Sequence, residues 1–141
     1  MTVDCTMPVL VVEDMNTMGR IICTLLKHIG FQHVDVAHGS FTAFNRMRSS
    51  CYGLVISDWD MKPLTGLDLL KQIRSDDALA DTRFIMMTAS SSLDHVIAAK
   101  NAGADGFISK PFTAQVLKDK IDRVFADEGR DTCHVIVIDQ P

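Results

Sequence analysis

Asp58 directly follows the apolar run Leu54-Val55-Ile56-Ser57. Glu13-Asp14, Thr88 and Lys110 follow runs of the same kind, namely Val9-Leu10-Val11-Val12, Phe84-Ile85-Met86-Met87 and Gly106-Phe107-Ile108-Ser109. Such a run reads as a strand buried on both faces, and the polar residue after it as a group delivered to the sheet edge. If the strands are parallel, three carboxylates, a hydroxyl and an ammonium gather where open α/β sheets bind ligands. The carboxylates repel one another: at about 4 Å and an effective dielectric of about 20, each pair costs roughly 4 kcal/mol. A divalent cation offsets that repulsion, and an all-oxygen donor set without His or Cys favours Mg²⁺ or Mn²⁺ over zinc. With the metal in place, Asp58 can attack phosphorus in line without a general base, because an ionised carboxylate is already a nucleophile. Thr88 and Lys110 would each bind one oxygen of the resulting acyl phosphate.

The elements that must position these groups alternate along the chain. Met18, Ile21, Ile22, Leu25, Leu26 and Ile29 recur at helical spacing, with Asn16 expected as the cap and Gly30 as the stop. His33 to His38 alternates polar and apolar residues, as an edge strand does, and Ser40 opens a helix carrying Phe41, Phe44 and Met47. Thr65 and Asp68 are spaced as a capping box ahead of Leu67, Leu70 and Ile73. A fourth helix holds Leu93, Val96 and Ile97 and stops near Gly103; a fifth holds Leu117, Ile121, Val124 and Phe125. Five βα units predict a doubly wound, five-stranded parallel sheet with helices on both faces. The alternating second strand belongs at an edge, which suits the flavodoxin-like order 2-1-3-4-5 with its switch point between strands one and three.

Size and composition narrow the class. With 141 residues, 47% of them hydrophobic, the chain supports one ordinary core, expected over residues 8–126. A formal charge of −4 without a basic run argues against direct nucleic-acid binding. Cys5, Cys23, Cys51 and Cys133 form no C-x-x-C pair, so reduced thiols are expected, and His28, His33, His38, His95 and His134 lack ligand-like spacing. No basic leader and no run of membrane-spanning length is present, so a cytoplasmic protein without membrane insertion is expected. The segment 127–141 contains the apolar run Val135-Ile136-Val137-Ile138, expected to form a strand against a sheet edge in cis or in trans.

Glu13-Asp14, Asp58, Thr88-Ala89 and Lys110-Pro111-Phe112 together resemble the signature of the response-regulator receiver domains of two-component signalling, over about residues 8 to 126. Asp58-Trp59-x-Met61, Ala102-Gly103-Ala104 and Lys110-Pro111-Phe112-Thr113-Ala114 place the strongest likeness with the CheY-like chemotaxis regulators. The resemblance implies that a sensor histidine kinase or a histidine phosphotransfer protein phosphorylates Asp58. It implies that Glu13, Asp14, Asp58 and the backbone carbonyl of Asp60 hold Mg²⁺, that Lys110 bridges to the phosphoryl group, and that Thr88 and Phe107 act as the switch. It further implies a partner face formed by Leu93, Val96, Lys100, Phe107 and Lys120, with a flagellar switch component as one downstream target. A phosphorelay intermediate or a phosphate sink is equally compatible with these motifs. In many relatives the peptide matching Lys110-Pro111 is cis. The chain departs from the family at Met61-Lys62-Pro63, where relatives commonly have Met-Pro. Asp60 and Ser90 stand at the two positions that tune acyl-phosphate lifetime in the family.

Three other readings compete. Asp58-Trp59-Asp60 is formally the D-x-D of a haloacid-dehalogenase-like phosphatase, but that motif normally lies on the first strand and its acidic pair comes late in the chain. A flavodoxin would cradle phosphate with Gly, Ser and Thr after strand one, where this chain has Asp14 to Thr17. An interaction module working without phosphate would have no need of Asp58.

Overall fold

The structure, a computed structural model, describes residues 3–89 and 92–126. Its elements run β1 (Val9–Val12), α1 (Asn16–Ile29), β2 (Val34–Ala37), α2 (Ser40–Ser49), β3 (Leu54–Asp58), α3 (Gly66–Ser75), β4 (Arg83–Thr88), α4 (Leu93–Ala102), β5 (Gly106–Ser109) and α5 (Ala114–Val124). All strand pairs are parallel and the order is β2-β1-β3-β4-β5, as the alternation of patterns predicts. The expected strand at 133–138 and the position of Ser90 lie outside the described residues.

The period of two along each strand builds two cores, one on each face. Leu10, Val12, Val55, Phe84, Met86 and Phe107 point to the layer made by α2, α3 and α4. Val9, Val11, Leu54, Ile56, Ile85, Met87 and Ile108 point the other way, onto Ile22 and Leu26 of α1 and Leu117, Ile121 and Val124 of α5. The strand residues of both sets are essentially inaccessible, and each fully buried aliphatic side chain is worth about 1.5–3 kcal/mol. The sheet that carries the polar strand ends is therefore clamped from both sides.

Helix termini follow local chemistry, with one correction. The Thr65 hydroxyl accepts from Asp68 N–H at 3.1 Å while the Asp68 carboxylate accepts from Thr65 N–H at 3.0 Å, which is the expected capping box. Ser92 and Thr113 cap α4 and α5. Asn16 does not cap α1: the cap position is Met15, in extended conformation and without a side-chain bond, and Asn16 is already helical. Ser40 begins α2 behind Gly39, but its hydroxyl donates to the Leu64 and Thr65 carbonyls, both at 3.1 Å, and ties α2 to the turn before α3. Gly30 (φ 131°) ends α1 and Gly103 (φ 101°) ends α4, both in the positive-φ region that disfavours a side chain. Among the described residues no helix is long and apolar enough to cross a membrane.

Candidate functional site

The sheet register brings the strand ends together. Val12 pairs with Ser57, which sets Glu13 beside Asp58; Asp58 pairs with Met87, one residue before Thr88; and Thr88 pairs with Ser109, one residue before Lys110. Lys110 N–H donates to the Thr88 carbonyl at 2.7 Å, extending the β4–β5 ladder by one step and aiming the lysine back across the sheet.

Among the described residues, Glu13, Asp14 and Asp58 form a group in which one carboxylate oxygen from each lies within 4.8 Å of the others. Glu13 and Asp58 are buried, whereas Asp14 is exposed at the mouth. Lys110 reaches over them, with Nζ 2.9 Å from Asp58 Oδ1 and 3.5 Å from Glu13 Oε2. Burial first, and then the Asp58 carboxylate, push Glu13 up to about 7, against the opposing pull of Lys110 and of the Met15 N–H. Burial pulls the Lys110 ammonium down, but Asp58 and Glu13 outweigh it and leave the group above its ordinary value. One ammonium, paired with Asp58 and Glu13, against three clustered carboxylates leaves the crevice net negative. Its donors are all hard oxygens, so the residues present suit an oxygen-seeking divalent cation and offer nothing to a thiophilic one.

The surrounding backbone is tight. A Cβ on Gly66 would lie 2.1 Å from the Asp58 carbonyl oxygen, so the α3 entrance can sit against the acceptor strand only without a side chain. Trp59 N–H donates to the Met87 carbonyl, and the Trp59 carbonyl accepts from Met61 N–H and Gly66 N–H. The Lys62-Pro63 and Lys110-Pro111 peptides are both cis, the first within the Met61-Lys62-Pro63 segment that departs from the family pattern. Thr88 is buried at the end of β4, and Asp60 is exposed.

The remaining sequence-picked residues divide by burial. Leu93 and Lys100 are exposed on α4 and Lys120 is half-buried on α5, but Val96 and Phe107 are buried in the core. Phe107 lies wholly inside the layer beneath α4 and presents no surface. Sequence reasoning missed two polar supports. The His38 ring Nδ1 donates to the Glu13 carbonyl at 3.1 Å, and the Ser40 hydroxyl bridges to the turn before α3. Each joins residues at least 24 positions apart, a separation at which no local pattern signals contact.

Residues 9–122 match the family described as "Response regulator receiver domain". The chain is similar to a chemotaxis protein CheY of Pseudomonas aeruginosa, 41% identical over 119 residues that span 84% of this chain and 96% of that protein. It is also similar to a chemotaxis protein CheY-3 of Vibrio cholerae, 40% identical over 84% of this chain and 92% of that protein. Among solved structures it resembles the chemotaxis response regulator CheY4 of Vibrio cholerae with a TM-score of 0.78, 26% identity, and coverage of 84% of this chain and 98% of that one.

Proposed function

Because the chain belongs to the response regulator receiver domain family, we propose that it is a phosphorelay signalling protein whose acceptor is Asp58. The observation that carries this reading is the convergence of Glu13, Asp14, Asp58 and Lys110 at adjoining strand ends. An Asp58 carboxylate oxygen attacks the phosphorus of a phosphohistidine on a sensor kinase or phosphotransfer protein; the O–P bond forms, the P–N bond breaks with its electron pair left on that nitrogen, and the imidazole leaves neutral because its other ring nitrogen already carries a proton. Glu13, Asp14, Asp58 and the Asp60 carbonyl are the residues that would hold Mg²⁺, and the metal would neutralise charge on the transferring oxygens. Lys110 accompanies the acceptor throughout, and the Thr88 hydroxyl binds the product oxygen, with Phe107 as the neighbouring element of the switch. The output is a changed binding surface on α4, β5 and α5, where Leu93 and Lys100 are exposed.

The 40–41% identity to proteins named for chemotaxis supports a cytoplasmic role in that pathway, with a flagellar switch component as the downstream target. A haloacid-dehalogenase-like phosphatase is disfavoured by the family match and by the position of Asp58 on the third strand. Incubation with acetyl phosphate and Mg²⁺ is expected to add one phosphoryl group, which borohydride reduction maps to residue 58 as homoserine. No labelling, or labelling elsewhere, overturns the proposal.

A further inference from the structure

Trp59 lies between two of the residues proposed for the site, Asp58 and Asp60, and its backbone is held by three hydrogen bonds. That fixes the point from which its side chain leaves the loop. The ring is partly buried against the core beneath α4, and it meets the imidazole of His95 edge-on, with centroids 4.6 Å apart and planes at 75°. His95 stands in the first turn of α4 and is itself held: its Nδ1 lies 2.6 Å from the Ser92 hydroxyl, which also accepts the His95 backbone N–H as the helix cap. The contact therefore joins the acceptor loop to the start of α4 through two side chains whose positions are set independently.

The helix at the other end of this contact is lightly anchored. α4 buries Val96 and Ala99 in ten residues, while the ten-residue α3 buries Gly66, Leu69, Leu70 and Ile73. Leu93 (68%) and Ile97 (46%) of α4 face solvent. In a first turn held inside by Val96 alone, the aromatic contact carries a large share of the anchoring.

We propose that His95 is a positioning residue for the acceptor site, which packs on Trp59 to hold the Asp58–Asp60 backbone and transmits occupancy of the crevice to the first turn of α4. The inference rests on the acceptor reading above and adds a route from the loop after β3 to the proposed output helix. Binding that moves the Asp58–Asp60 backbone displaces the indole between them, and the imidazole follows because the two rings are in contact.

Trp59 is the one tryptophan of the chain, so its emission reports this contact without ambiguity. The experiment uses the full chain with Mg²⁺ alone and with Mg²⁺ plus beryllofluoride as the phosphoryl probe. It reads Trp59 emission, amide exchange in the first turn of α4, and the rate of Asp58 labelling by acetyl phosphate. In the parent, beryllofluoride is expected to change both the emission and the exchange. His95→Ala is expected to remove the exchange response and slow labelling several-fold, whereas His95→Phe, which keeps a ring against Trp59 without the Ser92 bond, restores both. The inference is overturned if His95→Ala matches the parent in exchange response and labelling rate, or if His95→Phe is as impaired as His95→Ala. A parent that is never labelled at Asp58 overturns the acceptor reading instead, and this inference falls with it.

Discussion

The sheet buries carboxylates at both of its ends and treats them in opposite ways. At the N-terminal ends of β4 and β5, Asp105 Oδ2 accepts from Phe84 N–H at 2.9 Å and from Arg74 Nη2 at 3.0 Å. The rest of the Arg74 guanidinium donates to the carbonyls of Gly103, Ala80 and Thr82 at 2.7–3.0 Å. Burial pulls Arg74 below its ordinary value while Asp105 pulls it back, so one buried acid is met by one part-buried base with its donors spread over fixed acceptors. At the C-terminal ends, Glu13 and Asp58 share the Lys110 ammonium with Asp14 close by, and Glu13 is pushed up to about 7. A network closed in that manner ties α3, β4 and the α4–β5 turn together. The crevice left short of positive charge stores affinity for a cation.

The sharpest way to break that contrast is to neutralise one acid at each end. Asp58→Asn is expected to reduce labelling by acetyl phosphate at least about 100-fold, because an amide oxygen is a far poorer nucleophile. The same change removes a like charge from the crevice, so the thermal midpoint is expected to hold or rise. Labelling at the parent rate, or a large fall in the midpoint, contradicts the assignment of this end to chemistry. Asp105→Ala is expected to do the reverse and cost about 1–3 kcal/mol in denaturant unfolding, because the part-buried Arg74 loses its carboxylate partner and the buried Phe84 N–H loses an acceptor. Its labelling per folded molecule should stay at the parent level. A loss under 1 kcal/mol would show that the carbonyls alone satisfy Arg74.

A smaller effect should separate the two ends by pH. Glu13 ionises near 7 when folded against 4.5 as its reference value, so between those values the folded chain holds a proton that the unfolded chain has lost. Stability therefore falls as pH rises through this window, by on the order of 2 kcal/mol for metal-free protein, and the loss is complete above about pH 7. Glu13→Gln should flatten that dependence and leave metal-free protein more stable than the parent at pH 8. Mg²⁺ binding in the parent should tighten steeply up to pH 7, because the cation must displace the Glu13 proton, and the mutant should lose most of that slope. Parallel pH curves for parent and mutant, in unfolding and in Mg²⁺ titration, would contradict the charged-crevice account.

The contrast also explains what the sequence made legible. Strands covered on both faces must be continuous apolar runs, so β1, β3 and β4 and the groups just after them stand out, as does β2 by its alternation at the edge. Helix faces were less sharply legible. The buried face of α2 is Ser40, Ala43 and Met47, which leaves Phe41 71% exposed, and Ile21 (47% exposed) lies a helical step away from the buried Ile22. The Arg74–Asp105 network was not anticipated, since its residues are 31 positions apart and become neighbours only once α3 and α4 are packed on the sheet. The Trp59–His95 contact has the same origin. Chemistry at strand ends is visible in a sequence because strand order predicts convergence; contacts between loops and helices depend on packing angles that no local pattern encodes.

The smallest expected effect lies at the rim of the crevice. Asp60 is two residues beyond Asp58, and its carboxylate is not in the group that Glu13, Asp14 and Asp58 form, so it is expected to act on a bound cation through a water-screened field, the proposed ligand there being its backbone carbonyl. A unit charge about 6–8 Å from a dication in a solvent-like dielectric is worth about 1–1.4 kcal/mol before screening, which salt reduces further. Asp60→Asn should therefore weaken Mg²⁺ binding about two- to five-fold at low salt and leave the thermal midpoint unchanged. Because the Debye length is only about 10 Å at 0.1 M salt and about 3 Å at 1 M, the difference should shrink towards zero across that range. Asp58→Asn removes a proposed ligand at contact distance, so its effect on Mg²⁺ should persist at high salt. A salt-independent loss in Asp60→Asn would place its carboxylate on the metal, and no loss at any salt would place it facing away from the crevice.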